Sequence, residues 1–262
     1  MTPLVSAIIP TYGREKSLKN AIASVLSQEG ISLEVLVCED GETESVASVV
    51  QSFHDPRVIH LPGTHVGRPA IPRNRGIAAA KGEWLAFLDD DDEWLSGKLC
   101  KQLAVVKDTG CLAICSNAYR KLANGNIVGL YLPDDVLPKR ITFHHLLHGN
   151  FVINSSALVH ASLVPQIGYI PESRELISIE DYAYWLRVAA RTDFAVSSEG
   201  LLNYNDDAQA SIRKYANQSQ LELVLRDYVH WCVLHKMYYK LFFTVKKMCR
   251  MYFDRIKNRL SF

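Results

Sequence analysis

A chain of 262 residues with 48% hydrophobic and 22% charged content can bury a substantial core and has the composition of an ordinary globular protein, in one large domain or two small ones. A net charge of +1 excludes bulk attraction to nucleic acid, and no apolar run reaches the ~20 residues needed to span a bilayer. The six cysteines are scattered without a C-x-x-C pair, and Cys111 and Cys115 lie in an apolar run unsuited to zinc, so free thiols in a reducing compartment are expected.

Residues 5–9 form a short apolar strand that Pro10-Thr11-Tyr12-Gly13-Arg14 brings to an end. The chain enters this strand with no leader-like segment, which sets the expectation of a cytoplasmic protein. Residues 17–28 carry Leu18, Ala21, Ile22, Val25 and Leu26 at helical spacing. A strand at 33–38 ends in Glu39-Asp40-Gly41, a helix follows at 42–53, and a third strand at 57–61. Residues 73–80 read as a helix stopped by Lys81-Gly82. Then Trp84-Leu85-Ala86-Phe87-Leu88 makes a strand buried on both faces, and it runs directly into Asp89, Asp90, Asp91, Asp92 and Glu93.

Five consecutive acids repel one another. A charge run is ordinarily a solvated turn, but these acids follow a buried strand, where open α/β sheets place their ligands. The expectation is therefore a site for a hard divalent cation, Mn²⁺ or Mg²⁺, at the strand's C-terminal end.

Past a helix at 97–108 and a strand at 112–116 the alternation weakens. Asn124-Gly125 signals a hairpin joining 118–122 to 127–132, residues 154–160 read as a strand, and 178–191 as a helix around Glu180-Asp181. Alternating strands and helices predict an α/β fold, a mostly parallel sheet covered by helices, followed by an α+β part. The expected division is 1–120, 121–215 and 216–262.

The last of these parts is basic and aromatic. Between Lys236 and Arg259 eight basic residues face one acid, Asp254, a local charge of +7 that leaves −6 for the rest of the chain. Residues 221–259 therefore suit an anionic membrane surface, the plainer alternative being a helix that packs its aromatics inward and solvates its cations.

Four stretches in order resemble glycosyltransferase family 2, the inverting nucleotide-sugar transferases of GT-A fold: VSAIIPTYGR, EDG, PRNRGIAAAKGEWLAFLDDDDEW and IEDYAYWLRVA. The resemblance runs from about Val5 to Tyr204 and implies a GT-A sheet with an acceptor-side α+β part and a helical C-terminal extension. It implies that Pro10, Thr11 and Tyr12 line a nucleotide pocket, with Arg14 close enough to share it or to stay on the surface. Asp40 would accept a hydrogen bond from a pyrimidine, which favours UDP. Arg73 would approach the diphosphate, or else form a salt bridge at a helix start. In the D-x-D pattern Asp89 would face the ribose and Asp91 would hold Mn²⁺ or Mg²⁺, with Asp90 a further donor-site contact and Asp92 capping the next segment. Asp181 would be the base that deprotonates an acceptor hydroxyl, the alternative being an acidic cap at a helix N-terminus.

The implied reaction moves one sugar from a nucleotide sugar to a glycan or lipid-linked acceptor, in surface polysaccharide synthesis at the inner face of the cell membrane. The Q/R-x-x-R-W motif of processive relatives is missing, and where many relatives carry a His after a Tyr like Tyr204 this chain has Asp206 and Asp207. A nucleotidyltransferase would need a richer glycine loop than PTYGR, and a non-catalytic membrane-associated relative would not need all of Asp40, Asp89, Asp91 and Asp181. His144 and His148 are spaced i, i+4, but without the glutamate of a zinc-protease helix they are expected to serve the acceptor side or the surface.

Overall fold

A computed structural model describes residues 4–122, 124–133, 136–206 and 220–260. The first part alternates as expected: β1 (Val5–Thr11), α1 (Glu15–Leu26), β2 (Leu33–Glu39), α2 (Glu44–Gln51), β3 (Val58–Leu61), α3 (Ala70–Ala79) and β4 (Trp84–Phe87). A two-residue β5 (Glu93–Trp94), α4 (Lys98–Thr109), β6 (Ala113–Lys121), β7 (Ile127–Leu130) and β8 (Arg140–Ile141) follow. The remainder comprises α5 (Phe143–Leu146), β9 (Leu158–His160), α6 (Val164–Ile167), α7 (Glu180–Ala189), β10 (Phe194–Asn205), α8 (Gln220–Leu234) and α9 (Tyr238–Leu260).

These strands form one sheet in the order β3-β2-β1-β4-β9-β6-β10-β5, with β7 added beside β6 and β8 beside β10. The four strands from β3 to β4 run parallel. β9 enters antiparallel between β4 and β6, and β10 then pairs parallel with β6. Every residue of β1, β2 and β4 is buried, as strands covered on both faces require.

Side chains alternate across a strand, so β1 feeds two cores. Ile8 joins Phe87, Trp185 and Tyr184 on the face covered by α3, α7 and α8. Val5, Ala7 and Ile9 join Leu18, Ile22 and Leu99 on the opposite face, which α1 and α4 cover. The parallel register aligns Ile8 with Phe87 and Thr11 with Glu39. Asp40, the first residue past β2, and Asp89, the second past β4, are thereby delivered beside the end of β1.

The structure departs from the sequence reading in three places. The strands expected at 112–116 and 118–122 are one continuous β6. The strand expected from 154 opens with a 3-10 turn at Asn154–Ser156, and pairing begins only at Leu158. The twelve-residue β10 was not foreseen: it pairs with β6 across two register shifts, and its Ser-Ser-Glu-Gly interior hides any strand alternation. All six cysteines are free, and among the described residues no helix is long and apolar enough to cross a membrane.

The helix α3 lies so close to the sheet that a Cβ at Gly76 would sit 2.6 Å from Ile8 Cγ2 and 2.7 Å from Cys38 Sγ. Gly76→Ala is therefore expected to push α3 off β1 and β2, at a cost of about 1–3 kcal/mol from overpacking. Equilibrium urea unfolding checks this. An unchanged midpoint would show that α3 has slack.

Candidate active site

The C-terminal ends of β1, β2 and β4, the N-termini of α3 and α7 and the end of β10 enclose a cavity of about 390 Å³. All ten residues singled out in the sequence line it: Pro10, Thr11, Tyr12, Arg14, Asp40, Arg73, Asp89, Asp90, Asp91 and Asp181. It also takes in residues the sequence reading did not assign, among them His65, Asn154, Ser178, Tyr204 and Asn205.

One side of the cavity is an aromatic slot. The Tyr12 ring, half exposed, stacks on His65 with centroids 4.1 Å apart and planes 14° from parallel. Asp40 builds this side, since its carboxylate oxygens accept the backbone N–H groups of Val66 (2.9 Å) and Gly67 (2.8 Å), and His65 Nδ1 lies 3.1 Å from its Oδ2. Asp40 thus holds the loop that carries the stacked ring.

The acids occupy the next wall. Asp90 is buried, accepting from Thr11 Oγ1 at 2.7 Å and from Arg14 Nη1 at 3.1 Å. The same Arg14 nitrogen reaches Asp91 Oδ2 at 2.7 Å. Burial pushes the Asp90 carboxyl up to about 6, against the pull of Arg14 and Thr11. Burial and the charge of Asp89 likewise raise Asp91. Asp92 does not cap the following segment as expected. It is fully enclosed, accepts the Asn205 backbone N–H at 2.7 Å, and so ties the acidic turn to β10; α4 is instead preceded by Gly97 and has no side-chain cap. Burial, with Asp91 and Asp89 nearby, raises the Asp92 carboxyl well above the ordinary range.

Arg73 joins the acidic turn to α7. Its Nη2 donates to Asp89 Oδ1 and its Nη1 to Glu180 Oε1, both at 2.7 Å, and its side chain is only 8% exposed. Asp89 is further fixed by Asn154 Nδ2 (2.8 Å) and by its own N–H, which donates to Ser155 Oγ (3.0 Å). Beside Glu180, Asp181 takes no part in the Arg73 pairing. Its Oδ1 accepts the Tyr182 N–H at 2.7 Å, and burial followed by the Glu180 charge pushes its carboxyl up to about 7. Ser178, two residues before α7, sits in the left-handed region at φ 76°, a conformation costly for a residue with a Cβ.

The donor chemistry at the acidic turn fits a hard divalent cation. Asp89 and Asp91 present carboxylates that are 30% and 26% exposed to the cavity. Among the described residues no three His, Cys, Asp or Glu side chains converge into a preformed cage. One or two carboxylates completed by a ligand's phosphates is how such ions are commonly held. Asp206 lies apart, held by Arg120 at 2.6 Å, and Asp207 falls outside the described residues. His144, on α5, and His148, just past its end, meet ring to ring at 4.9 Å, away from the cavity.

The raised Asp90 carboxyl carries a pH prediction. Between pH ~4, where an unfolded Asp loses its proton, and pH ~6 the native state holds a proton that the unfolded state has released. Stability from this group is present below that window and is lost as pH rises through it. Thermal melting of the wild type and Asp90→Asn from pH 4.5 to 7 should show the variant gaining relative stability as pH rises. A constant difference across the window would show that Asp90 titrates normally.

Known proteins are similar to this chain in sequence and in fold. The chain is 28% identical over 254 residues to a UDP-Glc:alpha-D-GlcNAc-diphosphoundecaprenol beta-1,3-glucosyltransferase, WfgD of Escherichia coli, covering 96% of each chain. Over 100 residues it is 39% identical to a GalNAc(5)-diNAcBac-PP-undecaprenol beta-1,3-glucosyltransferase of Campylobacter jejuni, covering 37% of this chain and 32% of that one. The fold superposes on the S. aureus TarS 1-349 complex with UDP-GlcNAc with a TM-score of 0.68 at 20% identity, over 87% of this chain and 66% of that one. A mannosyltransferase of Pyrobaculum calidifontis, solved with GDP-Man and Mn2+, matches with a TM-score of 0.63 at 14% identity, over 95% and 75% of the two chains. The sheet and its helices are thus those of a GT-A glycosyltransferase. The model of the family "Glycosyl transferase family 2" matches residues 6–164, well over half of the sequence, and the chain is an enzyme that belongs to that family.

Proposed function

We propose that this enzyme transfers one sugar from a UDP-sugar to a hydroxyl of a lipid-linked glycan precursor, with inversion, in surface polysaccharide synthesis. The observation that carries the reading is the juxtaposition of two groups of carboxylates in one cavity. Asp89 and Asp91 lie on the turn after β4, Asp181 lies on α7, and Arg73 connects the two elements. The activities named for the E. coli and C. jejuni relatives support a diphosphoundecaprenol-linked acceptor, and that of the first a UDP-sugar donor.

In this reading residues 1–120 hold the donor and 121–215 the acceptor. The Tyr12–His65 stack offers an aromatic wall to the nucleobase. Asp40, with a lone pair beyond those it commits to Val66 and Gly67, takes a pyrimidine N–H. Asp89 and Asp91 would hold Mn²⁺ or Mg²⁺, and when bound the cation stabilises charge developing on the departing diphosphate. Arg14, which bridges Asp90 and Asp91, adds positive charge on the same side. Arg73 is engaged by Asp89 and Glu180, so its part is to set the two carboxylates at their places, with any phosphate contact secondary.

Asp181 takes the acceptor's proton as the glycosidic bond forms. A carboxyl titrating near 7 is substantially ionised at neutral pH and yet basic enough to share a proton in the transition state. Glu180, spoken for by Arg73, is the weaker candidate. The C-terminal part, 216–262, would bring the enzyme to the inner face of the cell membrane, where a lipid-linked acceptor resides.

The test compares two quantities on Asp181→Asn, the affinity for UDP with Mn²⁺ and the rate of transfer to a lipid-linked acceptor. Transfer should fall by roughly 10²–10⁴-fold, the usual size of general-base catalysis, while UDP affinity holds. Chelator should abolish wild-type transfer and added Mn²⁺ restore it. A parallel fall in both quantities would make Asp181 structural, and full activity in excess chelator would refute the metal.

A further inference from the structure

The helix α9 carries two apolar stripes, and the fold covers one of them. Leu241, Met248 and Met251 pack against the main core, and Thr244 on the same line is fully buried. One position further along the chain, a rotation of about 100°, Tyr238, Phe242, Val245 and Tyr252 form a second line at spacings of four, three and seven. These four are 65%, 63%, 42% and 63% exposed, and Phe253 beside them is 68% exposed. The preceding helix behaves differently: α8 buries Tyr228 and Trp231 in the core. Among the described residues of the basic aromatic segment, α8 exposes only Val233 and Leu234 of its large apolar side chains, at its end, while the long open line of such side chains belongs to α9.

Cations border this line. Lys246 and Arg250 are exposed next to Phe242, Val245 and Tyr252 on the helix surface, and the α9 sequence holds seven basic residues against the single acid Asp254. A second copy of the chain docked by the same stripe would bring like charges together. An uncharged apolar partner would leave the cations unpaired. A bilayer with anionic headgroups satisfies both features, since the aromatic rings enter the headgroup boundary while the bordering cations meet phosphates.

We propose that the stripe Tyr238–Phe242–Val245–Tyr252, with Phe253, is the docking face for an anionic phospholipid bilayer, and that α9 lies in the plane of that interface. This rests on the reading above that the enzyme works at a membrane, and it assigns the contact to one face of one helix. A helix of 23 residues lying flat offers about 35 Å of such a face.

The experiment is co-sedimentation of the full chain with vesicles of phosphatidylglycerol and phosphatidylcholine, or of phosphatidylcholine alone. UDP affinity with Mn²⁺ and the melting temperature are measured on the same preparations. The wild type should bind the anionic vesicles and be released as salt is raised. Phe242→Asp with Tyr252→Asp should weaken binding by roughly tenfold or more. Lys246→Glu with Arg250→Glu should weaken it by at least about fivefold per site. Leu234→Asp, at an exposed position on α8 and so outside the helix assigned to docking, should bind as the wild type does. Melting temperature and UDP affinity should not change in any of these variants.

Equal binding to neutral vesicles would overturn the anionic part of the proposal. No vesicle binding, or a solution dimer that Phe242→Asp dissociates, would overturn the docking face. Either failure with UDP affinity intact would leave the transferase reading standing.

Discussion

The site depends on one guanidinium. Arg73, in the first turns of α3, is buried between Asp89 on the turn after β4 and Glu180 at the start of α7. Burial disfavours its charge, but the two carboxylates hold it firmly protonated. A buried cation with two acids is costly to desolvate and yet costly to break, because removing any one member strands the others; such a group contributes geometry more than net stability. Here that geometry sets the relative places of the acids in the proposed site. The triad fixes the distance between the element that carries the D-x-D acids and the element that carries Asp181. It also divides two neighbouring acids by role, since Glu180 is committed to Arg73 while Asp181 keeps its carboxyl at the cavity.

A second layer supports the same acids from behind. Trp94 Nε1 donates to the Ser155 carbonyl and Gln102 Nε2 to that of Ser156, which fixes the turn that presents Asn154 and Ser155 to Asp89. Lys98, fully buried, stands 4.1 Å over the Trp94 ring and donates to Gln102 at 2.7 Å; its burial lowers its pKa well below that of a free lysine. Closer to the cavity, Arg73 Nε, Glu180 Oε2, Asn154 Oδ1 and Asp92 Oδ2 are buried without hydrogen-bond partners. Other buried polar atoms without partners lie in the core around α7 and α8, at Tyr184 Oη, Trp185 Nε1 and Tyr228 Oη, so those at the cavity stand out by their place beside the acids and not by being alone.

What could be read from the sequence follows from which signals are local. β1, β2 and β4 are mostly apolar runs, interrupted only by polar residues such as Ser6 and Glu34 and each followed by its polar turn, so both the parallel sheet and the acids at its edge were legible. Asp181 and Arg73 were found through motif context, but the reason they belong together was not, because Arg73 and Glu180 are 107 positions apart. The role of Asp92 was misread for the same reason, its partner Asn205 being 113 positions away. β10 escaped because two register shifts and a polar interior erase its alternation. His65 escaped because it lies in a loop without periodicity, where only the fold brings it onto Tyr12. In the C-terminal segment the sequence showed aromatics and charge, while the division between the inward rings of α8 and the outward rings of α9 needed the packing.

Asp181 is set apart from its neighbour, and its surroundings raise its carboxyl toward neutrality. Carboxyl carbon NMR titration of this one residue in the free protein, assigned by its loss in Asp181→Asn, tests that directly. A midpoint near 7 is the predicted result. A midpoint near 4, the ordinary value of a solvated aspartate, would contradict it.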